Sequence, residues 1–184
     1  MRVLATISIT ATCLVIASVS FGQDAPAPAS VPAPAAATAF CENSPGFSDW
    51  DFWVGEWQVY SNDEARTLLG NNSITKHYSN CLIKETWESA GGGGFSVNYF
   101  NPVKNEWRQV WVSNGYSIDY SGGLNPQGQM VLEGEIYNYP QNNTAGFKGS
   151  WTAEENGDVI QRFEVFNAET QGWDVWFEGR YVRR

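Results

Sequence analysis

From Phe52 onward, apolar and polar residues alternate with period two in short runs broken by turn-forming residues. The alternation predicts ten strands, near 52–60, 72–78, 81–88, 95–100, 106–113, 116–121, 129–136, 145–152, 159–166 and 173–182. Turn chemistry separates them: Tyr78-Ser79-Asn80, Asn101-Pro102, Asn114-Gly115, Asn125-Pro126-Gln127-Gly128 and Asn156-Gly157-Asp158. No stretch keeps apolar residues at helical spacing, and a short helix is expected only around Ser44–Asp51. Strands joined in series by tight turns read as an all-β, antiparallel up-and-down barrel or a sandwich. A barrel of about eight to ten strands has room for one small ligand.

The same alternation assigns faces, because charges must reach water. Lys84 outward sends Ile83, Glu85 and Trp87 inward. Arg108, Val110 and Val112 outward leave Trp107, Gln109 and Trp111 inside. Arg162 and Glu164 outward leave Val159, Gln161, Phe163 and Val165 inside. Asp174, Glu178 and Arg180 outward leave Trp173, Val175, Phe177, Gly179 and Tyr181 inside, and on 95–100 the inward set is Ser96, Asn98 and Phe100. The inner face thus mixes rings with isolated polar groups. A sealed core would bury few of these, since an unpaired one costs about 1–3 kcal/mol, whereas a ligand cavity uses that mixture. Trp87, Trp111, Phe163 and Phe177 are the expected walls, with Glu85, Asn98, Gln109 and Gln161 as polar anchors.

Composition supports this picture. Aromatics make up 15% of the chain and 18 glycines are interspersed, which suits twisted strands and tight turns. The formal charge of −9 disfavours nucleic acid and anionic lipid as partners. Residues 1–22 read as a signal peptide: Arg2, then a largely apolar run to Val19, then small residues before a cut at Gln23. That run is too short and too often interrupted for stable membrane insertion. Residues 23–39, rich in Ala and Pro, form a spacer, leaving 40–184 as the folded domain. Past the leader only Cys41 and Cys81 remain, an even pair that in an exported chain reads as one disulfide.

The segment Asp51-Phe52-Trp53-Val54-Gly55-Glu56-Trp57 opens the strand region. Gly55 lets the backbone pass close to a bulky group, and Trp57 suits the plug at one barrel end. With Asn80-Cys81-Leu82-Ile83-Lys84-Glu85-Thr86-Trp87, Phe95–Phe100, Trp107–Val112, Met130–Gly134 and Phe177–Arg183, the chain resembles a lipocalin-like, calycin-type family of exported bacterial proteins. The resemblance implies a calycin barrel with no established reaction. It also implies that Arg183 stacks across Trp57 to close the barrel base.

Candidate chemistry is sparse. Glu85, among Ile83, Trp87 and Trp111, is either a ligand anchor, a carboxylate accepting from Asn98 or Gln109, or an acid–base group. His77 is the sole histidine and is expected on an outer face, so neither a haem site nor a nucleophile–His pair is expected. Asp49 and Asp51 lack the spacing of a calcium loop, and Gly91–Gly94 lacks the rest of a phosphate loop and reads as a hairpin tip or cavity rim. No metal and no cofactor is expected. The sequence favours a monomeric, periplasmic or secreted protein that binds a small apolar or aromatic molecule. A barrel enzyme of isomerase or lyase type using Glu85, and an envelope interaction module with a filled barrel, are the alternatives.

Overall fold

A computed structural model describes residues 39–184; the expected leader and the spacer, apart from Ala39, fall outside the described residues. Ten strands follow one another: β1 Gly55–Ser61, β2 Leu68–His77, β3 Leu82–Ser89, β4 Gly92–Asn101, β5 Glu106–Ser113, β6 Tyr116–Leu124, β7 Met130–Asn138, β8 Asn143–Ala153, β9 Val159–Asn167 and β10 Gly172–Arg183. Each pairs antiparallel with its neighbour in sequence, and β1 pairs with β10 to close an up-and-down barrel. Closure leaves no free edge, so every ladder is satisfied internally.

Three expectations need correction. The helix expected over Ser44–Asp51 is instead a single turn, α1 (Phe40–Asn43), followed by turns and a 3-10 turn at Asp51–Trp53. Gly46, at φ +88°, takes a conformation that interrupts any helix there. Gly91–Gly94, read as a hairpin tip or cavity rim, is a tip only at Gly91, in the β3–β4 turn; Gly92–Gly94 belong to β4 and pair with Trp87–Ser89. The third correction concerns β10. Trp173 and Val175 face outward, because a bulge between Val175 and Phe177 inserts one residue and reverses the alternation upstream of it. Trp173 lies edge-on to Phe166, with the Lys148 ammonium 4.4 Å over its ring, and Val175 is half-exposed.

One barrel end is plugged. Trp50, Trp53, Trp57, Trp107 and Trp151 are all at most 1% exposed, and Trp50 stacks on Trp53 at 5.0 Å while meeting Trp107 and Trp151 edge-on. The Trp107 indole N–H donates to Gly46 O at 3.1 Å, tying the N-terminal segment across the opening. A Cys41–Cys81 disulfide fixes that segment to the β2–β3 turn. The Arg183 guanidinium sits 4.3 Å over Trp57 and donates to Val54 O, and the Trp57 indole donates to Trp53 O at 2.9 Å. Lys84 and Arg108 point outward, the latter paired with Asp119. No helix among the described residues is long and apolar enough to cross a membrane.

Candidate functional site

Across the barrel interior, inward positions of seven strands supply a continuous belt of polar side chains. Asn98 Nδ2 donates to the Ile83 carbonyl at 3.0 Å and to Ser96 Oγ at 2.9 Å. Ser96 Oγ donates to Glu85 Oε2 at 2.7 Å, and Asn72 Nδ2 donates to Glu85 Oε1 at 2.7 Å. Asn72 also donates to Tyr181 Oη, which passes its own proton to Gln161 Oε1 at 2.7 Å. At the other end Gln109 Nε2 donates to Asn98 Oδ1, and Tyr120 Oη donates to Gln109 Oε1. These residues alternate with apolar ones because each strand shows every second side chain to the interior.

Beside the belt, on the side away from the tryptophan plug, lies a cavity of about 110 Å³. Trp87, Trp111, Tyr116, Phe163, Trp176 and Phe177 wall it, with Ile118 deeper; Glu85, Gln109, Gln161, Tyr120 and Tyr181 form its polar side. Glycines make room for the large rings. A Cβ at Gly94 would strike the Trp111 ring, and one at Gly70 would come within 2.7 Å of Trp87 Cη2. Gly179 sits likewise against Phe177. The Trp87 and Trp111 rings therefore pack over glycines of the neighbouring strands β2 and β4.

Electrostatically the site is built on one buried carboxylate. Glu85 is 3% exposed, and burial pushes its pKa up from 4.5 to about 7, against the opposing effect of the hydrogen bonds from Asn72 and Ser96. Burial, with a further push from Glu85, also raises Tyr120 and Tyr181 well above the usual phenol value. Both phenols are thus proton donors at neutral pH, in keeping with their bonds to Gln109 and Gln161. Among the described residues, no Lys, Arg or His lines the cavity.

Of the eight residues expected to touch a ligand, seven line this cavity: Glu85, Trp87, Gln109, Trp111, Gln161, Phe163 and Phe177. Asn98 does not. It is fully buried behind Gln109, with both amide hydrogens used on Ile83 and Ser96. The partners of Glu85 are Asn72 and Ser96, not Asn98 or Gln109, because strand pairing sets Glu85 opposite Ser96 and packs Asn72 alongside. Asn72, Tyr116, Ile118, Tyr120 and Trp176 belong to the site but were not expected there. Asn72 and Tyr120 carried a usable signal, inward parity on β2 and β6, whereas Trp176 is turned inward only by the bulge.

His77 is exposed and hydrogen-bonded to Thr75, and Asp51 is paired with Lys76. Among the described residues no three His, Cys, Asp or Glu side chains come together as a metal site.

The chain matches no family model and no curated protein. The architecture itself, a closed ten-stranded barrel with an interior cavity, is compatible with a small-molecule binding protein.

Proposed function

We propose that this chain is an exported, monomeric binding protein of the lipocalin-like, calycin kind, holding one small aromatic or apolar molecule in the barrel cavity. The observation that carries the reading is the juxtaposition of an aromatic wall with a hydrogen-bonded polar belt around unfilled space. A volume of about 110 Å³ is below the ~150 Å³ of an engineered cavity that admits benzene, so the enclosed part of the ligand is no larger than a single small ring or a short branch. The unfilled space supports this reading over a barrel filled by its own side chains. Each Glu85 oxygen accepts one fixed hydrogen bond, which supports a positioning role for that carboxylate over proton transfer. The Cys41–Cys81 bond suits the periplasm or the exterior.

Native mass spectrometry of the protein purified from its own source should show a bound species of small mass. Titration with small ring compounds should quench indole emission, since Trp87, Trp111 and Trp176 line the cavity. Trp111→Ala should weaken the tightest probe by at least tenfold. No bound species, and no quenching by any probe at millimolar concentration, would sink the proposal.

A further inference from the structure

Within that binding reading, we infer that the cavity selects an uncharged ring compound carrying a hydrogen-bond acceptor oxygen, such as an aryl ketone, and that Gln161 donates to that oxygen. The inference rests on where every belt proton goes. The Ile83 carbonyl can only accept, so it orients the Asn98 amide with its nitrogen toward the backbone and its oxygen toward Gln109. That oxygen requires Gln109 to present its nitrogen, which places the Gln109 oxygen opposite Tyr120. The same logic runs along the other arm. Asn72 turns its nitrogen to Glu85 and Tyr181, so the Tyr181 proton is left for the Gln161 oxygen.

Two tyrosines therefore hold two glutamines by their carbonyls, leaving amide N–H groups over. Gln109 keeps one hydrogen and Gln161 keeps two without a partner among the described residues, although Gln161 is only 3% exposed and lines the cavity. A donor that a bound molecule cuts off from water without pairing it is unfavourable, so a ligand acceptor placed there gains more than an apolar isostere. Charge narrows the class. An anion would face the Glu85 carboxylate with no basic residue among the described lining residues to offset it, whereas a cation, though drawn to that carboxylate, brings no acceptor for the leftover amide hydrogens of Gln109 and Gln161.

Four probes sharing one benzene ring test this, read by calorimetry and indole quenching at pH 8 on the intact exported chain: acetophenone, ethylbenzene, benzoate and benzyltrimethylammonium. Acetophenone should bind roughly tenfold tighter than ethylbenzene, as one added hydrogen bond predicts, and benzoate should bind weakest. Gln161→Leu should erase the acetophenone advantage over ethylbenzene. Gln161→Glu retains the acceptor for Tyr181, so it keeps that belt contact while losing the donors; it too should erase the advantage. Equal binding of acetophenone and ethylbenzene, or tightest binding of either ion, overturns this inference and leaves the cavity-ligand reading standing. Failure of all four to bind overturns this inference, and overturns the cavity-ligand reading too if the natively purified protein also carries no bound species and no other probe quenches.

Discussion

Glu85 concentrates the residue-scale physics. Its folded pKa of about 7 lies above the ordinary 4.5, so between those values the folded protein holds a proton that the unfolded chain has released. Stability must then fall as pH rises through this window and level off above it, by on the order of 3 kcal/mol in all. Denaturant titrations from pH 4 to 8 should show that slope, and Glu85→Gln should flatten it. An unchanged slope in the variant would mean that other groups carry the pH dependence. Sequence reading placed Glu85 inside from the need of Lys84 to reach water. It could not identify Asn72 and Ser96 as its partners, because pairing between strands depends on register and period-two parity leaves register open.

At the element scale, β1 and β10 decide both ends of the barrel. At the closed end Gly55 takes φ +151°, and a side chain there would run into the Arg183 guanidinium, which covers Trp57. Gly55→Ala should cost roughly 1–3 kcal/mol from the backbone conformation and the displaced stack. In an Arg183→Ala background the same change should cost less, since the obstructing group is gone; a thermal-melt double-mutant cycle measures the difference. Additive losses would show that the two positions are uncoupled. At the open end, the bulge after Val175 exchanges which tryptophan faces the cavity. Trp176→Ala should therefore weaken ring-compound binding, whereas Trp173→Ala should leave it unchanged, with fluorescence titration as the readout. Strict alternation predicted Trp173 and Val175 inside. A bulge has no reliable signature in a run of alternating aromatics, so one inserted residue was invisible to parity.

For the whole molecule, the Cys41–Cys81 bond spans 40 residues and anchors the segment whose tryptophans plug the barrel. Cys41→Ser with Cys81→Ser should lower stability by roughly 4 kcal/mol on the chain-entropy account. Equilibrium unfolding of the double variant against the oxidised parent checks this, and a loss below about 1 kcal/mol would mean that indole packing holds the plug without the bond. The ten strands, the disulfide pair and seven of the cavity residues were legible in the sequence, because period-two alternation, turn residues and an even cysteine count are local signals. Local order alone separates Trp107 and Trp111 onto one face and Arg108 onto the other. Register, the β10 bulge and the direction of each belt proton were decided only by closure of the barrel. They depend on which residues of different strands meet, and no single stretch of chain carries that information.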